Sequence, residues 1–240
     1  VANWKGYIMA EKEDKMNQQI TDALDARIER IWKKMEELPE ELEFSCGKWP
    51  PEWKKPFSEA QVANWEKKYK VRLPEDYRRF ITTKAGGGTQ PFYGLCSLLG
   101  KELKEMLNDE GMDVSKPFPY TLDKPLLIFA MSEEEQEAYF SEDEDDEEIM
   151  GGFIPLCTEG CGMDDVLVVS AQDEAAYGTV WFYDLANDFG IAPIRNRETG
   201  KPFSFLDWLE YWVDFTISHK PSEYFSYGEL TGPFAGEEDE

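Results

Sequence analysis

The chain has 240 residues, with 50 Asp and Glu against 25 Lys and Arg, a formal net charge of -25. Charge of that size and sign repels nucleic acid phosphates and anionic headgroups and attracts basic surfaces, so the partner it admits is a cationic protein. A hydrophobic content of 41% supports a globular core, and the longest apolar runs, such as Leu126 to Met131, are far too short for a membrane span.

Apolar residues recur at Met16, Ile20, Leu24, Ile28, Ile31, Met35 and Leu38, a spacing of three to four that predicts a long helix over Glu11 to Leu38. Lys48 to Pro56 (KWPPEWKKP) reads as a linker, since its prolines remove donors and fix the chain; Trp49 and Trp53 are expected to pin it to the body. Ser58 and Gln61 form a capping box ahead of Val62, Trp65 and Tyr69, which predicts a second helix to about Lys70. Leu73-Pro74-Glu75-Asp76 starts a third, with Tyr77, Phe80 and Ile81 as its buried face, and Gly86 to Gly88 end it.

Beyond Gly88 the texture changes to strands, predicted at Tyr93 to Leu99, Leu126 to Ala130, Phe153 to Cys157, Val166 to Ser170 and Val180 to Asp184. Ser132 and Glu135 make another capping box, opening a short acidic helix after the second of these. Ser204 starts the last helix, whose face of Phe205, Leu209, Trp212, Val213 and Phe215 is expected to cover the sheet. The outcome is an α+β domain over residues 58 to 220. It follows an N-terminal helix and Pro/Trp-rich linker over 1 to 57 and precedes an aromatic, then acidic tail over 221 to 240.

The charge is concentrated. Glu142, Asp143, Glu144, Asp145, Asp146, Glu147 and Glu148 form an unbroken acidic run, and the insert from Ser132 to Glu148 holds 11 acids with no Lys or Arg. Setting aside these and the four acids of Glu237 to Glu240 leaves 35 acids against 25 basic residues, a balance of -10 on the rest. Blocks of like charge are commonly solvated stretches that promote solubility, and the charge pattern alone leaves that reading open beside a partner-binding one.

Catalytic and metal-binding readings have little support. The one histidine, His219, stands at the predicted end of the last helix, where a cation meets the helix's negative pole; a hydrolase would have no other imidazole. Cys157 and Cys161 stand as C-x3-C, but a tetrahedral site needs four ligands, and His219, Cys46 and Cys96 are far away in sequence. The cysteines are few and scattered, which suits a reduced, cytoplasmic setting, and Val1 to Ala10 lacks the basic region and apolar core of a secretory signal. Gly86-Gly87-Gly88-Thr89 follows a helix rather than leading into one, and has no Lys placed for phosphate. The acidic run lacks the spaced order of a specific calcium loop. No catalytic residue, cofactor or metal is assigned.

Two segments go further. LPEDYRRFITTKAGGGTQPFYGL (Leu73 to Leu95) and GFIPLCTEGCGMDDVLVV (Gly152 to Val169) are followed by Gly178-Thr179-Val180-Trp181 and a closing helix with Phe203-Ser204-Phe205-Leu206. In that order they closely resemble the SMI1/KNR4 family, the core of the SUKH superfamily. Two departures are Ala85-Gly86-Gly87-Gly88 in place of the frequent Gly-Asn-Gly-Gly turn and an insertion at Asp173 to Tyr177. The resemblance implies a mixed, mostly antiparallel sheet flanked by helices, no catalytic activity, and in bacteria an immunity protein that neutralises a polymorphic toxin delivered between competing cells. Many such toxins are nucleases and therefore basic, which agrees with the charge argument. Tyr77, Phe80, Leu156, Val168 and Trp181 read as core, and Gly160 and Gly162 as turn-formers. The expected partner is a cognate toxin, a basic nuclease domain, with Glu142 to Glu148 as the candidate toxin-binding residues. The family's fungal members imply the alternative, a non-catalytic acidic scaffold in a regulatory network.

Overall fold

The computed structural model describes residues 4–42, 46–108, 111–141, 151–218 and 225–232. Among them the elements run α1 (Trp4–Lys34), α2 (Glu59–Tyr69), α3 (Glu75–Thr83), α4 (Lys101–Asn108), β1 (Leu126–Leu127), α5 (Glu133–Ser141), β2 (Phe153–Gly160), β3 (Met163–Val168), β4 (Val180–Asp184), β5 (Gly190–Pro193) and α6 (Phe205–Ser218). The strands form one five-stranded sheet in the order β1-β5-β4-β3-β2, every neighbouring pair antiparallel. Among the described residues, parallel pairing occurs only as isolated bridges, Asp113 to Gly151 and Phe118 to Ala171. The α+β class is as the sequence predicts.

The helix starts follow from local chemistry. Ser58 and Gln61 cap α2 reciprocally: Gln61 N donates to Ser58 Oγ at 3.3 Å, and Ser58 N donates to Gln61 Oε1 at 2.9 Å. Asp76, in the first turn of α3, does more than favour its own helix. Its Oδ1 accepts from Tyr77 N, and its Oδ2 accepts from Leu206 N at 3.1 Å, so one carboxylate ties the start of α3 to the start of α6. Burial pushes the Asp76 carboxyl up from its ordinary value, against the pull of those two amides.

The β2–β3 hairpin turns through Gly160, Cys161 and Gly162 at φ of 98°, 55° and 82°. Three successive left-handed residues explain why two are glycines. Hairpin and sheet carry the core: Leu156, Val168 and Trp181 are fully buried, together with Tyr77 and Phe80 from α3 and Trp208 from α6. Segments before and after the sheet join that core. Ile28 and Ile31 of α1 are buried where it packs on α3 and α6, and Phe225, Tyr227 and Leu230 are buried beyond α6.

The linker is pinned as expected. The Trp53 ring lies 5.6 Å from that of Trp32, Trp49 Nε1 donates to Pro39 O, and Trp53 bridges Gly88. The glycine run is there for close approach: a Cβ on Gly88 would sit 2.5 Å from the Trp53 ring, and one on Gly86 2.8 Å from Phe57.

Several boundaries differ from the sequence reading. Tyr93 to Leu99 is turn and irregular chain, not a strand, though it covers the β2 edge through Tyr93 N to Thr158 O and Cys96 N to Leu156 O. Leu126 to Ala130 is strand for two residues and then a 3-10 turn over Ile128–Ala130, which puts Phe129 on the surface. Helix α4 and strand β5 carry patterns too short for periodicity to find. No helix of the described residues is long and apolar enough to cross a membrane.

Candidate functional site

Glu142 to Glu148, His219 and the acidic tail Glu237 to Glu240 lie outside the described residues. The structure does place the element that leads into the acidic run. Helix α5 opens with a second capping box, in which Glu135 N donates to Ser132 Oγ at 3.3 Å and Ser132 N donates to Glu135 Oε2 at 2.8 Å. Those bonds to Ser132 hold the Glu135 carboxyl below its ordinary value. The helix is anchored to the sheet edge by Gln136, whose amide donates to Ile128 O and Met131 O at 3.1 and 3.3 Å. Glu133, Glu134, Glu135 and Glu137 are all exposed. Negative charge at the start of a helix suits its positive pole, so an acidic first turn is locally favourable as well as outward-facing.

The groups with apparent chemical potential are interior. Cys157 is buried on β2 and donates from Sγ to Asp165 Oδ2 at 3.4 Å, whereas Cys161 is exposed at the hairpin tip. The two cysteines of the C-x3-C pair therefore part company, and among the described residues no group of three or more His, Cys, Asp or Glu is arranged to hold a metal ion.

Asp165 is fully buried and also accepts from Trp208 Nε1 at 2.9 Å. Nearby Glu159, 3% exposed, accepts from Tyr227 N at 2.9 Å, and the Tyr227 hydroxyl donates to Trp208 O. The network of Cys157, Asp165, Trp208, Tyr227 and Glu159 clasps the segment after α6 onto the β2–β3 hairpin. One oxygen of each carboxyl, Glu159 Oε2 and Asp165 Oδ1, has no hydrogen-bond partner among the described residues.

Desolvation dominates both groups. It lifts Glu159 to about 7, and it pushes Asp165 well above the carboxylate range with added repulsion from Glu159. The Cys157 thiol is raised for the same reason, burial first and the Asp165 charge second, so it is no ready nucleophile. Perturbed acids can mark catalysis, but these two are almost wholly buried, at 3% and 0% exposure, and are engaged in holding the segment after α6 to the hairpin. The sequence signal for them was available: Glu159 and Asp165 interrupt the apolar stretch from Phe153 to Val169, where a strand buried on both faces has no place for unsatisfied charge.

A model of the SMI1 / KNR4 family (SUKH-1) matches residues 56–210 of the chain. No curated protein and no solved structure matches it.

Proposed function

We propose, from the premise that this chain belongs to the SMI1/KNR4 family (SUKH-1), that it is an immunity protein which binds a cognate polymorphic toxin domain, a basic nuclease, and occludes its active site. Members of this family are commonly toxin immunity proteins and are generally non-catalytic. The observation that carries the reading to a basic partner is charge: -25 overall, with the exposed first turn of α5 running on in sequence to Glu142 to Glu148. A nuclease grips phosphate with lysine and arginine, and an acidic face competes for those same cations. We assign Glu142 to Glu148 a role in long-range attraction of that partner. Residues 58 to 220 are proposed as the binding domain, with α1 and the tail as additions to it.

The test uses the product of a toxin gene adjoining the one for this chain. Its association rate with the immunity protein is expected to fall by about tenfold or more from low to high salt, because steering is screened beyond the Debye length. Replacing the seven acids by Gln and Asn should slow association while leaving dissociation nearly unchanged. An on-rate indifferent to salt removes charge from the mechanism, and failure to protect cells from the toxin shifts the reading to a regulatory scaffold.

A further inference from the structure

Large apolar side chains exposed among the described residues include Tyr93 and Phe129, each at 56%. Scattered exposed rings are ordinary on protein surfaces, but Phe129 has three further properties. Its ring stacks on Phe189, with centroids 5.1 Å apart and planes at 27°, and Phe189 in turn meets the buried Phe182 edge-on at 5.3 Å. The outer ring is therefore the tip of an aromatic column rooted in the core.

Its backbone is also held. Ile128 N donates to Phe189 O at 3.0 Å, Met131 N closes the 3-10 turn onto Ile128 O, and Gln136 braces the same carbonyl. Little conformational freedom remains to be lost when something settles on it. Finally, exposed acids flank both rings along the chain: Glu133 and Glu134 open α5 shortly after Phe129, and exposed Asp188 directly precedes Phe189 in a left-handed turn at φ 58°. From Asp123 to Ser141 the chain carries five acids and one Lys.

From this arrangement we propose that the Phe129–Phe189 edge of the sheet is the docking face for an arginine-bearing surface of a basic partner. A guanidinium stacks flat on an aromatic face while its edge donors reach carboxylates nearby, and a ring backed by a second ring, on a stretch of chain rich in exposed acids, supplies both halves of that contact. The inference rests on the basic-partner reading above and locates its close contact, which steering by the acidic run does not.

The experiment measures binding of labelled deca-arginine by fluorescence anisotropy at physiological ionic strength, with the parent chain, Phe129→Ala and Tyr93→Ala. Tyr93 is the matched control, equally exposed but beside β2 at the opposite edge of the sheet. Phe129→Ala should weaken binding about fivefold, in keeping with a stacked cation–π contact, and Phe129→Trp should retain it. Tyr93→Ala should leave it within about twofold, the change expected of a surface site away from the contact. Unchanged affinity in Phe129→Ala, or equal losses in the two alanine variants, overturns the proposal. So does a dimer of the parent chain that Phe129→Ala dissociates, since the face would then belong to a second copy. If deca-arginine binding depends on Phe129 and the adjoining toxin does not bind at all, the toxin reading fails and the docking face stands. If Phe129→Ala neutralises the toxin with full affinity, the docking face fails and the toxin reading stands.

Discussion

Raising the pH from about 5 to about 8 is expected to destabilise the folded chain by roughly 3 kcal/mol, the opposite of the usual gain for a protein leaving the acid range. The cause is the clasp between the β2–β3 hairpin and the segment after α6. Glu159 titrates at about 7 in the fold against an ordinary 4.5, so between those values the folded chain holds a proton that the unfolded chain has released. Its raised value therefore favours the fold below the lower figure, and that advantage is lost as pH climbs through the upper one; Asp165, shifted the same way, adds to the loss at higher pH. The carboxylates of Asp25 and Glu210 work in the other direction. Both are lowered in the fold, Asp25 chiefly by its hydrogen bond to Arg79 and Glu210 by bonds from Lys34, Arg30 and Arg27 that outweigh its burial; their contribution is lost as pH falls through the acid range. Maximum stability is thus expected near pH 5, by order of magnitude. Urea midpoints at the two pH values measure this, with constant m confirming that the same surface is exposed. Glu159→Gln, which keeps an acceptor for Tyr227 N, and Asp165→Asn should each flatten the profile and exceed the parent in stability at the higher pH. A parent midpoint that rises with pH would sink the account.

The second large effect concerns α1, which lies outside the family-matched residues. Two forces hold it. One is an apolar stripe, with Ile28 and Ile31 each 1% exposed and Trp32 against Phe80 at 6.0 Å. The other is a ladder of ion pairs to α6. Arg27 reaches Asp207 at 2.7 Å and Glu210 at 3.0 Å, Arg30 reaches Glu210 at 3.0 Å, and Lys34 reaches Glu210 at 3.0 Å and Asp214 at 2.8 Å.

Magnitudes decide between them. Truncating a buried Ile to Ala costs about 2–5 kcal/mol, whereas partly exposed ion pairs contribute about 1 kcal/mol or less each and weaken with salt. The stripe holds the helix, and the ladder sets its register. Ile28→Ala with Ile31→Ala should cost about 5 kcal/mol and open α1 to limited proteolysis. Glu210→Gln should cost about 1–2 kcal/mol, and that cost should shrink in high salt. If Glu210→Gln freed α1 and the double alanine variant did not, the ranking would be reversed.

Much of this architecture was legible in the residues because it rests on local rules. The Ser58–Gln61 and Ser132–Glu135 boxes, the Leu-Pro-Glu-Asp helix start, and the Gly160 and Gly162 turn state their geometry within a few residues. What the sequence hid depends on partners far along the chain. Tyr93 lies in a segment with strand-like composition but is spent covering an edge, and β5 is a four-residue strand that only its neighbours β1 and β4 define. The column from Phe182 through Phe189 to Phe129 joins residues more than fifty positions apart, so no local pattern announces it. The tail, read from its sequence only as aromatic and then acidic, carries Tyr227, which is fully buried with its amide donating to Glu159 on β2.

The borders of the sheet limit how a partner can be met. At one border, residues 93 to 96 lie along β2 and take up its outward carbonyls, Thr158 O and Leu156 O; at the other, β1 is two residues long before the chain coils into a 3-10 turn. Recognition by strand addition needs a row of vacant amides and carbonyls on an edge strand. Among the described residues neither border presents a long row of this kind, which leaves strand addition little to pair with. Recognition at these borders then falls to side chains, which can change their chemistry without altering the backbone that carries them.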